Sequence, residues 1–175
     1  LYTVLNDSGH QATTWSLFHQ TTWPSLAFLT EKHGLTTWPE VPMDWPAGER
    51  YQRNSFSHPM HSGFAVSFHE SIGGIRPDSE HPGFKRFILQ PCFLEGLEWA
   101  KAEHQSPFGL ISSLWKRDGK NTIWDITIPE GSTAQIRLPA ELDIRKPEWH
   151  PTRTEGPWRI YTTGSGKHRI HLTDR

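Results

Sequence analysis

Along the first 76 residues the apolar positions recur every three or four residues; after Pro77 they alternate. The first spacing belongs to a helix surface and the second to a half-buried strand. In "GHQATTWSLFHQ", Ala12, Trp15 and Phe18 stand three apart. In "TTWPSLAFLTEKHG" a threonine precedes a first-turn proline, Trp23, Leu26 and Ala27 share one side, and Lys32 and His33 precede Gly34. Those are the start and stop signals of a short helix. In "SHPMHSGFAVSFHESIGGI", Met60, Phe64, Phe68 and Ile72 keep a four-residue repeat. Ser57 or His58 is placed to cap it, Pro59 sits in its first turn, and Gly73 and Gly74 end it. The spacing therefore predicts three helices, with a long loop before the third.

The second part reads as strands. "FKRFILQP" is a short apolar strand, and "LEWAKAEH" alternates Leu97 and Trp99 with charged neighbours. "GLISSLWKRDGKNTIWDITIPEG" predicts a hairpin turning at Asp118-Gly119, with Trp124, Ile126 and Ile128 on one face and Asp125 and Thr127 on the other. "TAQIRLP" turns Ala134, Ile136 and Leu138 inward. "WRIYTTGSGKHRIHL" reads as a last hairpin with a Gly-Ser-Gly tip, and "LDIRKPEWHPTRTEGP", without a period, as a surface loop. Short alternating strands with frequent turns predict an antiparallel β-sandwich. About 100 residues are enough for such a unit to bury its own core. The expected organisation is a helical part, 1–76, and a β part, 77–175, joined near "IRPDSEHPGF". The helical part carries aromatics on several faces and resembles an incomplete array. The chain begins at Leu1 without a signal-peptide pattern, so a longer polypeptide is expected.

Composition narrows the function. A net charge of −1 without a basic stripe argues against a nucleic-acid partner. No apolar run approaches the roughly 18 residues that cross a bilayer. The lone Cys92, in "LQPCFL", excludes an internal disulfide and a cysteine-rich zinc module; it reads as a small apolar filler. There is no glycine-rich phosphate loop, and Ser55 and Ser57 lack the Gly-x-Ser-x-Gly setting of a nucleophile. Nine tryptophans are many for 175 residues. An indole offers a flat apolar face and one donor, which suits the C–H face and hydroxyls of a sugar; filling a core is its other use.

The segment from His33 to Met60, "HGLTTWPEVPMDWPAGERYQRNSFSHPM", has almost no periodicity, four prolines and three large aromatics with a polar handle, Trp38, Trp45 and Tyr51. A loop of that length inside a domain is functional or disordered, and disordered segments are poor in aromatics. Glu40 stands between Trp38-Pro39 and Val41-Pro42. An apolar, stiff surround desolvates a carboxyl and fixes its direction, and both suit a general base. The alternative is a solvated loop glutamate, and Asp44 and Glu49 compete for the role. His58 and His61 form H-x-x-H at a helix start. They read as hydroxyl-binding groups, as a helix cap or as metal ligands, the last weakly, because no cysteine or matching acidic spacing accompanies them.

The stretches "HQTTWPSLAFLTEKHGLTTWPE", "SFSHPMHSGFAVSFHESIGGIRPD", "PGFKRFILQP", "LEWAKAEHQSPFGLISSLWKR" and "NTIWDITIPEGSTAQIRLP", in that order, resemble the C-terminal end of bacterial α-L-rhamnosidases. The resemblance runs from near Gly9 to near Leu172. It implies an α+β fragment: the last helices of a six-hairpin α/α barrel up to about Arg76, then an antiparallel β-sandwich. It also implies an inverting glycoside hydrolase. By position Glu40 resembles the general base of the T-T-x-x-E segment, and His58 the sugar-contacting histidine of S-x-x-H. Trp23 and Trp38 resemble aromatics near the sugar pocket. The implied partners are a rhamnose-containing glycoside or polysaccharide and the missing N-terminal part of the same enzyme, which carries the general acid. Neither nucleic acid nor membrane is expected as a partner, and neither a metal nor another cofactor. Pro39 and Ser57 depart from many members, which have tryptophan and asparagine there. A related six-hairpin glycosidase for another sugar is therefore one alternative, and a non-catalytic carbohydrate-binding sandwich is a third reading.

Overall fold

The computed structural model describes residues 1–40, 55–145 and 149–174. The candidates Asp44 and Glu49 lie outside them. The chain divides into two units, Leu1–Ser67 and Phe68–Arg175.

The first unit opens with α1 (Tyr2–Asp7), which the spacing does not announce, and α2 (Gln11–His19), which it does. The Tyr2 and Phe18 rings stack at 4.6 Å and join the two. The second expected helix shrinks to a turn ending in the π-helical Phe28–Lys32, which buries Phe28 and Leu29. Ser25 Oγ accepts from the Phe28 amide at 3.1 Å and starts it. Trp23 stays outside because a residue before proline is driven from the helical region. The third expected helix also needs correction. Pro59–Phe64 is a 3-10 helix followed by a three-residue α turn, Ala65–Ser67, and the second unit begins with the π-helical Phe68–Ile72. A strict four-residue repeat drifts about 40° per step on a helix of 3.6 residues per turn. Accordingly Met60 and Phe68 are exposed, and Ile72 is buried.

The second unit is two five-stranded sheets. One holds β1 (Ile75–Pro77), β2 (Arg86–Leu89), β6 (Thr133–Pro139), β9 (Trp158–Thr163) and β8 (Arg153–Glu155), in that spatial order. The other holds β3 (Trp99–Ser106), β4 (Gly109–Asp118), β5 (Asn121–Ile128), β10 (Gly166–Asp174) and β7 (Leu142–Ile144). The alternation in β5 and β6 places Trp124, Ile126, Ile128, Ala134, Ile136 and Leu138 in the core, none more than 2% exposed. The β4–β5 hairpin forms as expected. Its register pairs Asp118 with Asn121, so the two loop residues are Gly119 and Lys120, one position later than the Asp-Gly signal suggests. Gly119, at φ 61°, supplies the left-handed backbone this turn requires.

Four strand-level expectations change. β9 and β10 do not pair: β9 lies against β6 and β10 against β5, so the Gly-Ser-Gly stretch carries the chain from one sheet to the other. An alternating pattern specifies which face is buried but not which neighbour a strand takes. β2 and β6 run parallel, because the intervening strands belong to the other sheet. Trp99 is 61% exposed on β3, while Ala102 and Ser106 face inward. β3 is an edge strand, where a large aromatic is tolerated outside. The expected loop at 142–157 contributes two three-residue edge strands, β7 and β8.

The β unit contains a pH-sensitive contact. The half-buried His69 ring lies 6.0 Å from His104, which rests on Phe84 at 4.1 Å. Burial holds the His69 pKa below 6.5, His104 lowers it further, and Glu70 partly opposes them. Because the folded-state pKa is depressed, the unfolded chain binds the proton more readily. The associated stability is complete above 6.5 and is lost as pH falls through the folded value. The urea midpoint should therefore drop between about pH 7.5 and about pH 5.5, and His69→Gln should flatten that drop. An unchanged slope in the variant would rule this contact out as the cause.

Candidate functional site

The ends of the long loop are laced together. The Glu40 amide donates to the Ser55 carbonyl at 2.9 Å, and the His58 amide donates to the Trp38 carbonyl at 2.7 Å. Thr37 Oγ1 donates to the Phe56 carbonyl, and His61 Nδ1 lies 3.2 Å from the Pro39 carbonyl. These bonds set residues 37–40 beside 55–58 in the manner of a short antiparallel ladder. Glu40 and His58 thus share one clamp, although far apart in sequence.

Within it the Glu40 side chain is exposed, not walled in as the apolar flanks suggest. Its Oε2 is 3.5 Å from the Ser55 amide, at the outer limit of a hydrogen bond. His58 is half-buried and occupies the N-cap of Pro59–Phe64, but its ring makes no capping bond. The ring centroid is 5.0 Å from that of His61.

Beside the clamp lies a cavity of about 200 Å³ walled by Tyr2, Pro24, Ser25, Leu26, Leu29, Trp38, Pro39 and His61. Trp38 meets Phe64 edge-on at 4.7 Å, which fixes its indole as one wall. Glu40, His58 and Trp23 are not among the walls, and Trp23 is 50% exposed. The structure therefore gathers Trp38 and His61 at the cavity and Glu40 and His58 at the clamp, with Trp23 apart although its neighbour Pro24 is a wall. Sequence reasoning missed Tyr2 and Leu29. Burial raises the Tyr2 phenol above 10.0, so it stays protonated and keeps a hydroxyl donor at the wall. The six-residue α1 that carries it is too short to announce itself by periodicity.

Among the described residues one group gathers three ligand-type side chains, Asp78, Glu80 and His81, with ligand atoms within 4.8 Å of one another. Asp78 is already engaged there by Arg86 Nε at 2.9 Å and by His81 Nδ1 at 3.3 Å. His58 and His61 gather no third ligand of that kind among the described residues.

The β unit has the form of a glycosidase C-terminal domain: the family model described as the bacterial alpha-L-rhamnosidase C-terminal domain matches residues 74–151. An alpha-L-rhamnosidase of Formosa agariphila is 33% identical over 144 residues, covering 82% of this chain and 15% of that protein. One from Streptomyces avermitilis is 28% identical over 174 residues, covering 97% of this chain and 17% of that protein. The chain is thus similar to the C-terminal part of bacterial α-L-rhamnosidases, and over residues 74–151 it matches their C-terminal domain. The solved Streptomyces avermitilis enzyme, complexed with L-rhamnose, superposes with a TM-score of 0.82 at 26% identity, over 98% of this chain and 17% of that one. The Dictyoglumus thermophilum α-L-rhamnosidase shares the fold at a TM-score of 0.82 and 20% identity, over 99% of this chain and 20% of that one. The chain thus spans about a sixth of the length of the relatives it matches.

Proposed function

We propose that this chain is the C-terminal part of an inverting glycoside hydrolase that removes terminal α-L-rhamnose from glycosides or polysaccharides. Glu40 is its general base, His58 bonds a sugar hydroxyl, and Trp38 and Trp23 offer aromatic faces to the sugar. The observation that carries this reading is the backbone clamp, which holds Glu40 and His58 together in a chain so similar to an enzyme complexed with L-rhamnose.

Inversion requires a water between the base and the anomeric carbon, with the two carboxyls about 6.5–9.5 Å apart on opposite faces of the sugar. Glu40 takes a proton from that water as it attacks. The second carboxyl, which protonates the departing oxygen, belongs to the remainder of the polypeptide. The short helices up to Arg76 are then the last of an α/α barrel. Apolar residues left open on the first unit support that: Leu1 is 79% exposed, Val4 67% and Met60 80%.

Alone, the 175-residue chain should not hydrolyse an aryl α-L-rhamnoside, whereas the complete enzyme should release the β-anomer first, seen by NMR. Turnover by the isolated chain would overturn the assignment. Pro39 and Ser57 favour a different sugar in the same kind of pocket, and a panel of aryl glycosides decides between the two. The exposure of Glu40 outside the cavity favours a second reading, a carbohydrate-binding module without catalysis, in which the carboxylate is dispensable.

A further inference from the structure

The outer face of the sheet built around β6 carries an unusual set of donors. Arg86 pairs in register with Thr133, and Gln135 with Thr162, so these side chains share one face. Arg153 is paired with Ile160, two positions from Thr162, and joins the same face. Arg86, Thr133, Gln135, Arg153 and Thr162 line one cavity of about 240 Å³. That is many times the roughly 10–15 Å³ that admits a single water.

Among the described residues each arginine is held on one side only. Arg86 Nε is 2.9 Å from Asp78 Oδ2, and Arg153 Nε is bound to Glu155 Oε1. A guanidinium has five N–H donors, and using Nε leaves the two terminal nitrogens for another acceptor. Gln135 adds an oriented amide donor to the same cavity. It is only 5% exposed, and its Oε1 accepts from Arg137 Nε at 2.9 Å, which orients the amide. The amide nitrogen has no hydrogen-bond partner among the described residues. That nitrogen is open to solvent at the cavity, where an acceptor can reach it. Among the five side chains, two carry positive charge and none negative, while the two hydroxyls and the amide also offer donors.

We propose that this groove binds an oxyanion group, a carboxylate or a sulfate. Planar, charge-assisted bonds from two guanidinium groups suit such an acceptor, and they are stronger than neutral ones. The Gln135 amide and the Thr162 hydroxyl supply the remaining donors. Asp78 and Glu155 hold the arginines in place and offset their mutual repulsion. The site uses neither Glu40 nor His58, so it stands whatever their role.

The test is an NMR titration of the 175-residue chain with three probes: sodium sulfate, methyl β-D-glucuronide and the neutral methyl α-L-rhamnoside. Sulfate or the glucuronide should shift the amides of Thr133, Gln135 and Thr162, and the neutral sugar should not. Preference for the glucuronide identifies a saccharide-borne acid; preference for sulfate identifies a free anion or a sulfate ester. Arg153→Ala removes an exposed side chain and should weaken binding roughly ten- to hundredfold, as expected for a bond to a charged group. Arg169→Ala, on the other sheet, is the control for general charge and should change nothing. Thr162→Val gives a further variant that keeps both arginines. No response to either anion up to about 50 mM, or equal weakening by Arg153→Ala and Arg169→Ala, would overturn the proposal.

Discussion

Replacing Glu40 by glutamine in the complete enzyme should lower kcat by about 10²–10⁴-fold and leave KM nearly unchanged. Glutamine keeps the length of the side chain and the contact near the Ser55 amide, but it cannot accept a proton from water. The backbone clamp uses the amide of residue 40 and the carbonyl of Ser55, neither of which the substitution alters. The geometry therefore survives and the effect belongs to the chemistry. Two readouts separate this from a structural defect. The pH–rate profile should lose its acidic limb, which reports the free base, and the melting temperature should stay where it was. Intact turnover in Glu40→Gln would remove the catalytic assignment and leave the binding-module reading. An equal collapse of turnover and thermal stability would mean that Glu40 is structural.

The second large effect is on folding. Trp115 and Trp124 face each other across β4 and β5, both with 0% exposure, and Phe93 meets their rings edge-on at 5.5 and 6.0 Å. Each indole also has a fixed partner: Trp115 Nε1 donates to the Ile72 carbonyl at 2.9 Å, and Trp124 Nε1 donates to Ser113 Oγ at 2.9 Å. Trp115→Ala opens a cavity that costs about 3–5 kcal/mol. It also strands the Ile72 carbonyl, at roughly 1–3 kcal/mol if the gap stays dry. Domains have only about 5–15 kcal/mol in total, so the β unit of this variant should be largely unfolded near 37 °C. Trp124→Phe keeps most of the volume and leaves only Ser113 without its donor, so a loss of about 1–3 kcal/mol is expected. Urea unfolding followed by circular dichroism tests both. A Trp115→Ala midpoint close to the parent's would contradict the packing account.

The legible parts of the fold are those where one physical demand acts alone. β5 and β6 separate a dry face from a wet one, so their alternation names the core residues directly. Trp99 misleads because an edge strand relaxes that demand. The helical part was harder to read for a related reason. Trp23 is barred from the turn by Pro24, and the spacing from Met60 to Ile72 matches no single helix type. For the candidate site, residue types and their order were readable from the resemblance. The exposure of Glu40 and the contribution of Tyr2 to the cavity were not, because both depend on neighbours distant in the chain.

By itself the sequence determined the longer strands, which residues in β4, β5 and β6 are apolar enough to fill a core, and the resemblance to a family. Local spacing and side-chain chemistry suffice for those. Only the tertiary structure decided that β9 and β10 part company into different sheets, that β2 and β6 run parallel, and that residues 37–40 lie beside 55–58. It alone assembled the Arg86, Gln135, Arg153 and Thr162 groove from four strands. Such pairings are set by hydrogen bonds and burial between segments far apart in the chain, and no local pattern encodes which distant backbone will supply the partner.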